Sequence, residues 1–364
     1  MRQFPMITHP SLDKGTYQLS TQWFTPDRPP AGLSHIKPLG IQAFTKNLSA
    51  FEISPETPLC RLEMTCPFME PAIEVWHSSA PVSYDRFQDI SVGHDDETLM
   101  GVIALGGAGD DLALSARRIY DQIFRCLDHF GYPFPFRIWN YIPAINASND
   151  LGLERYRAFC LGRSEAFFAD RQCSEKFLPA GTGVGCLGER VKVVFMAART
   201  AAPTHFENPR QLPAYHYPVC YGPKSPSFAR ATFVPRNHGQ GEIYISGTAS
   251  IIGHETLHGG DVVKQCLTTL ENMELLLSEA NLKRYNINHS VRLSDLAGIK
   301  VYLRQPRDLP LIKPICETRL SRNQPIQFLR GDICRSDLLI EIEGKAWIPS
   351  RGRNASARFI KKER

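Results

Sequence analysis

The order of elements along this 364-residue chain predicts an α/β (α+β) fold of two similar mixed-sheet units with helices packed on one face. Three observations carry the prediction. Short apolar and β-branched runs, typical of strands, alternate with long segments whose apolar residues recur at helical spacing. Each half of the chain then repeats one order, strands, helix, strand, helical segment, strand. Finally, residues 243–246 have the composition of a buried strand, and Gly247 follows where a side chain would block close approach. The inference of two units rests on element order, since no letter-by-letter repeat is present.

Residues 1–50 are rich in Pro, Ser, Thr and Gly and predict an irregular arm laid over a folded body. Strands follow at 60–65, 72–77 and 98–105. Leu112, Ala116, Ile119, Ile123, Phe124 and Leu127 form the apolar stripe of a helix over 112–130, stopped by Gly131 and Pro133. A strand at 136–142, a helix at 153–168 and a strand at 192–197 complete the first half. After a proline-rich connection at 204–226 come strands at 228–234 and 242–246. Asp261 caps a helix over 261–280, whose inner face carries Val262, Cys266, Leu270, Met273 and Leu277. A strand at 299–303, a helical segment at 310–321 and strands at 328–334 and 338–342 end the second half. The domains expected are the arm (1–50), an N-terminal α/β domain (51–203), a C-terminal domain (204–345) and a basic tail (346–364).

The chain is 43% hydrophobic and 22% charged, which suits a globular protein with full cores. A net charge of +5 with scattered basic residues argues against nucleic acid and favours a small anionic substrate in a local basic pocket. No run of 18 apolar residues is present, and the N-terminus lacks a signal-peptide core, so a cytoplasmic protein without a membrane partner is expected. The ten cysteines form no Cys-x-x-Cys pair and read as reduced thiols.

Two motifs invite a cofactor or metal and fail on physical grounds. Gly183-Val184-Gly185-Cys186-Leu187-Gly188 matches a dinucleotide fingerprint, but a strand follows it where a helix N-terminus must hold the pyrophosphate. It reads as a glycine-rich turn. His254-Glu255-Thr256-Leu257-His258 matches a zinc-protease pattern, which needs both histidines on one helical turn. Gly253, Gly259 and Gly260 hem it too closely for a helix, leaving a polar loop ahead of Asp261. No cofactor and no metal are therefore expected.

The remaining chemistry is a set of anion-binding candidates and one acid. Tyr156 and Arg163 lie seven residues apart on one helical face, with Gly162 leaving room for a ligand beside the guanidinium. Tyr217 and Arg230 bracket a proline-stiffened loop. Together these could grip two carboxylates, though singly each arginine also fits a surface ion pair and each tyrosine a core position. In the last strand Glu341 and Glu343 share one face. Either carboxylate could have its pKa raised by desolvation, as a general acid needs, or both could form the solvated stripe of an edge strand.

Several ordered stretches carry a resemblance. They are Phe136-Arg137-Ile138-Trp139-Asn140-Tyr141-Ile142-Pro143, Glu154-Arg155-Tyr156 with Gly162-Arg163, Glu207-Asn208-Pro209-Arg210-Gln211, Tyr215-His216-Tyr217-Pro218, Tyr221-Gly222-Pro223 and Ile245-Ser246-Gly247-Thr248-Ala249-Ser250. Over about 136–345 the chain resembles the chorismatase family. Its C-terminal half, with Ser246-Gly247, Gly260-Asp261, Gln265, Asn272 and Ile340-Glu341-Ile342-Glu343, is also similar to the RidA/YjgF superfamily, which acts on imines.

The resemblance implies cleavage of chorismate, a dianion with an enolpyruvyl ether, to pyruvate and a cyclic acid without cofactor. Glu341 matches the family's catalytic glutamate, expected to protonate the enolpyruvyl methylene; Tyr156, Arg163, Tyr217 and Arg230 match positions that hold the substrate carboxylates. Gly247 and Cys334 are similar to the branch that makes 3-hydroxybenzoate, some of whose members also give 4-hydroxybenzoate. The other branch hydrolyses chorismate to a dihydroxycyclohexadiene carboxylate. Without the resemblance, Gly247 reads as relief of strand crowding and Cys334 as a buried thiol. A RidA-like imine hydrolase and a non-catalytic binder of small carboxylates are the other classes compatible with these residues. Oligomeric state is left open.

Overall fold

The computed structural model describes residues 19–26, 37–45, 47–49, 51, 53–65, 69–107, 111–148, 152–168, 174–236, 240–320 and 325–349. Most of the expected basic tail lies outside the described residues. Four strands, β1 (Leu19–Phe24), β2 (Gly40–Phe44), β3 (Leu59–Arg61) and β4 (Ala72–Ser78), form a sheet in the order β1-β4-β2-β3. The N-terminal arm is therefore not irregular throughout. In β1 the alternation Leu19, Thr21 and Trp23 inward against half-buried neighbours is a strand pattern that includes a polar residue, which hides it from a search for apolar runs.

Two six-stranded sheets follow, and they trace the same path. The first contains β5 (Ser83–Phe87), β6 (Ile90–His94), β7 (Thr98–Leu105), α1 (Leu112–Phe130), β8 (Phe134–Pro143), α2 (Arg155–Phe168), β9 (Ala180–Cys186) and β10 (Val191–Ala198), with strand order β5-β6-β7-β10-β8-β9. The second begins with β11 (Thr204–Phe206), β12 (Ala231–Pro235) and β13 (Gly241–Thr248), and a hairpin of β14 (Ile251–Ile252) and β15 (Glu255–Thr256) comes next. It continues through α3 (Val262–Leu277), α4 (Glu279–Lys283), β16 (Leu296–Leu303), α5 (Leu309–Arg319), β17 (Ile326–Arg330) and β18 (Ile340–Ile348). Its order is β11-β12-β13-β18-β16-β17. In both sheets a meander of three strands is followed by the last strand of the unit, then by a parallel pair, β8 with β9 or β16 with β17. A helix, α2 or α5, makes each parallel crossover, as parallel neighbours require. The fold class is the one expected.

Local chemistry fixes the helix ends. Asp111 accepts from the N–H groups of Ala113 and Leu114 at the start of α1, and Gly131, at φ 76°, closes it by donating to the Leu127 and Asp128 carbonyls. Each sheet buries its own helices against its outer face, giving one core around Ile119, Phe124 and Phe159 and another around Leu270, Met273 and Ile299. The inner faces share a third core with the N-terminal sheet, where Trp76 lies 5.7 Å from Trp139 and 6.4 Å from Tyr244. Among the described residues no helix is long and apolar enough to cross a membrane.

Three expectations need correction. The glycine-rich stretch read as a turn is mostly strand β9, paired in parallel with β8 from Arg137 to Pro143. The proline-rich connection contains β11 and two short 3-10 turns. His254 stands in the turn between β14 and β15, so the motif around it is a hairpin and not a plain loop.

Candidate active site

The site lies where β9, the edge of the first sheet, meets β13 and β18 of the second. Hydrogen bonds across this seam include Ala180 N–H to Thr232 Oγ1 and Gly181 N–H to Ser246 Oγ, each 2.8 Å, and Gly247 N–H to Thr182 Oγ1, 3.0 Å. Glycine at every second position of β9 leaves room for side chains that pack on that face. A Cβ on Gly181 would stand 3.0 Å from Phe228 and 3.4 Å from an Arg163 nitrogen; on Gly183 it would stand 3.2 Å from the Tyr156 ring. The bare face of β9 thus receives α2 with Tyr156 and Arg163, while Thr182 points to the opposite side.

The two carboxylates of β18 occupy opposite chemical states. β18 runs between β13 and β16, so the edge-strand alternative does not apply, and Glu341 and Glu343 are only 3% and 2% exposed. Glu343 accepts from Arg137 Nη2 (2.8 Å), Thr182 Oγ1 (2.6 Å), Trp139 Nε1 (2.7 Å) and Lys300 Nζ (3.2 Å). Burial alone would raise its pKa, but Arg137, Lys300 and the Thr182 and Trp139 bonds outweigh burial and hold the carboxyl below its usual range. Glu341 has no such set. Burial first, and then the Glu343 charge, push its carboxyl up to about 8, against the pull of Arg137 and Arg230. At neutral pH Glu341 is a protonated acid beside an ionised neighbour.

Gly247 stands against this acid. Pairing of β13 with β18 slips between Ile245 and Thr248, a bulge that sets Ser246 and Gly247 opposite Glu343. A Cβ on Gly247 would lie 1.7 Å from Glu341 Oε1. Its first role is to leave space for the carboxyl itself, which corrects the reading of Gly247 as simple relief of strand crowding. Gly162 is corrected too. A Cβ there would meet the Ala113 carbonyl oxygen at 1.8 Å, so this glycine lets α2 approach α1 and opens no path to the guanidinium.

Both arginines are buried rather than paired on the surface. Arg163 is 3% exposed, donates through Nη2 to the Ser227 carbonyl and stacks 5.3 Å over Tyr120, leaving its Nε without a partner. Arg230 is 4% exposed and donates through Nη2 to Tyr217 Oη (2.7 Å) and to the Leu212 carbonyl (3.0 Å). Its guanidinium lies 5.3 Å over Phe228, whose Cβ faces Gly181. Burial, followed by the charge of Glu341, pushes the Cys334 thiol up to about 12 and keeps it protonated. Tyr156 is raised well above its usual value, by burial and then by Cys160 and Cys334. The electrostatic contacts among Glu341, Cys334, Tyr156 and Arg163, and of Arg230 with Glu341, the Arg230–Tyr217 bond and the approach of Gly247 to Glu341 bring all seven sequence-derived candidates into one site.

Sequence reasoning missed several members of this site. Thr182 was hidden inside the glycine-rich run, and Arg137 and Trp139 read as ordinary strand residues although they fix Glu343. Arg335, next to Cys334 in the chain, lies 3.9 Å over the Tyr221 ring and 5.0 Å over Tyr217. It donates to the His254 carbonyl at 2.7 Å, so the β14–β15 turn forms part of the wall beside Tyr221. An arginine beside a candidate pocket residue was the available signal. Among the described residues, no three His, Cys, Asp or Glu side chains are grouped to hold a metal ion.

Two six-stranded α/β units joined along a seam that holds a protonated carboxyl between buried arginines define the class of protein. A family model described as chorismatase FkbO/Hyg5-like, N-terminal, matches residues 74–197. A 3-hydroxybenzoate synthase of Streptomyces hygroscopicus is 42% identical over 292 residues, covering 79% of this chain and 85% of that protein. A chorismatase of the same species is 40% identical over 271 residues, covering 74% of this chain and 78% of its own length. The crystal structure of a chorismatase superposes with a TM-score of 0.84 at 34% identity, covering 92% of this chain and all of that one. The chain belongs to the chorismatase family.

Proposed function

We propose that this protein cleaves chorismate to pyruvate and 3-hydroxybenzoate, with Glu341 as the proton donor. The observation that carries the reading is the contrast between Glu341, raised to about 8, and Glu343, held ionised two residues away. An enol ether is protonated on carbon, and that step needs an acid whose pKa lies near the working pH. The 3-hydroxybenzoate synthase relative supports the product and the chorismatase relative the substrate.

Arg163 with Tyr156, and Arg230 with Tyr217, take the two substrate carboxylates in this reading. Their buried guanidinium groups are worth more to an anion there than at a surface, because little water competes. Proton transfer from Glu341 to the enolpyruvyl methylene turns the ether carbon into an oxocarbenium-like centre. The hydroxyl on the neighbouring ring carbon then attacks the ring carbon that bears the ether. The bond from that carbon to the ether oxygen breaks, its electron pair leaving with oxygen as the ketone of pyruvate, and the hydroxyl proton returns to Glu341. The epoxide so formed opens to the phenol, so that the products together contain the atoms of chorismate with no water added. Cys334, a small and weakly polar group held neutral, lines the pocket without fixing a water near that centre. The repeated strand order supports units of 83–203 and 204–345, with β18 extending the second to Ile348, whereas residues 51–82, expected in the N-terminal α/β domain, contribute β3 and β4 to the sheet of β1 and β2.

Incubation of the purified protein with chorismate, followed by pyruvate assay and chromatography of the ring product, tests the reading. Equal amounts of pyruvate and 3-hydroxybenzoate are expected. Pyruvate with the diene diol acid would move the protein to the hydrolytic branch. Turnover of short imino acids without any effect on chorismate would instead favour an imine hydrolase.

A further inference from the structure

A third carboxyl, half-buried, belongs to this site without having been given a role. Glu207 follows β11, and among the described residues neither of its carboxyl oxygens accepts a well-formed hydrogen bond, although both are shielded from solvent and the Arg230 backbone N–H lies near. Its Oε2 stands 3.9 Å from Arg230 Nε, which also lacks a partner. The backbone of Glu207 is pinned, its N–H to Tyr285 Oη (3.1 Å) and its carbonyl to Asn281 Nδ2 (3.0 Å). A carboxyl fixed in place, unsatisfied and facing the Nε edge of a guanidinium is costly unless it serves that guanidinium.

We propose that Glu207 is a positioning residue for Arg230, and that its ionisation sets how strongly Arg230 takes a carboxylate of the substrate. Protonated, Glu207 leaves the full charge of Arg230 to the ligand. Ionised, it neutralises that charge from behind and repels the incoming anion. This inference rests on the reading of Arg230 as a carboxylate grip.

Among the groups packed directly against it, Glu207 is the one that changes state near neutrality. Burial raises its carboxyl to about 7, against the pull of the Arg230 guanidinium and backbone N–H. Tyr215, which feels Glu207, is pushed by burial up to about 12 and stays neutral. His205, two residues earlier on β11, is lowered by burial to about 4 and bonds Thr232 Oγ1 as a neutral ring. Tyr217 donates nothing to Glu207 and accepts from Arg230. Glu341 titrates within reach of Arg230 and must be removed from the measurement.

The test uses chorismate and the full chain carrying E341Q, which keeps the pocket but cleaves about two to four decades more slowly, too slowly to disturb a binding measurement. Its dissociation constant is measured by calorimetry from pH 6 to pH 9, a range in which the ligand carboxylates stay ionised. Affinity is expected to fall about tenfold, since each pKa unit of displacement by the ligand is a factor of ten. Adding E207Q should make the affinity flat across that range, because glutamine mimics the protonated form, and should abolish proton uptake on binding at pH 8. A flat profile in E341Q alone, an undiminished slope in the double variant, or a double variant that fails to bind at pH 6 overturns the inference. Failure of E341Q to bind chorismate at any pH overturns the substrate reading as well, so the two failures are told apart.

Discussion

Glu341 and Glu343 show how one strand makes two different acids from one residue type. Because Glu341 is raised to about 8, pyruvate release should fall as pH rises through that value, as the acid loses the proton it must donate. Linkage gives a second consequence of the same shift. Below the unfolded carboxyl value, near 4.5, both states carry the proton and the group costs nothing. Between 4.5 and about 8 only the folded state holds it, so stability declines as pH rises and levels off above 8. Glu341→Gln should remove that decline, leaving the variant several kcal/mol more stable than wild type at pH 9 by urea denaturation, at about 1.4 kcal/mol per pKa unit. Equal pH dependence of the two proteins would show that Glu341 is ionised at neutrality. Glu343→Gln should act in the other direction. Removing it leaves Arg137 without its carboxylate and Lys300 with Glu74 alone, at a cost of about 3–5 kcal/mol, and a melting temperature close to that of wild type would deny Glu343 its structural role.

At the scale of elements, β9, the β13 bulge and α2 make the site together. Gly247→Ala would put a methyl where Oε1 of Glu341 now sits, so the acid must swing away and pyruvate release should drop at least tenfold. Cys334→Ala leaves the acid alone. It should retain pyruvate release while shifting the product toward the diene diol acid, since about 1.4 kcal/mol between competing barriers is a tenfold change in ratio. An unchanged product ratio by chromatography would remove Cys334 from product control. These elements also show what a sequence can disclose. Helix α1 was legible to its end residues, because its stripe and the Gly131 stop act locally. β9 was not, since its alternating glycines carry no strand propensity and make sense only against Tyr156 and Arg163 of α2. β5 was missed for a different reason: Ser83–Phe87 is an edge strand with no fully buried residue, so it carries no apolar signal. The shared face of Glu341 and Glu343 was legible from period two alone, whereas their opposite ionisation depends on Arg137, Trp139 and Thr182 arriving from the other unit.

Across the whole molecule, the repeated strand order places a grip on each side of the seam, Arg163 in the first unit and Arg230 at the start of β12 in the second. A dianion bound between them ties the units together and should raise the melting temperature of the wild type. Arg163→Met and Arg230→Met each remove a charge-assisted contact worth about 1.5–3 kcal/mol, or one to two decades in affinity. The ligand-induced shift should shrink accordingly in each variant, and shifts equal to wild type would make these arginines purely structural. The measurement closest to the central claim pairs wild type with Glu341→Gln at pH 7, following pyruvate release from chorismate with binding checked by calorimetry. Wild type should release pyruvate with an equal amount of 3-hydroxybenzoate, and the variant should bind chorismate but release pyruvate about two to four decades more slowly. A folded, binding-competent Glu341→Gln that keeps more than about a tenth of wild-type turnover would contradict the assignment of Glu341 as the proton donor.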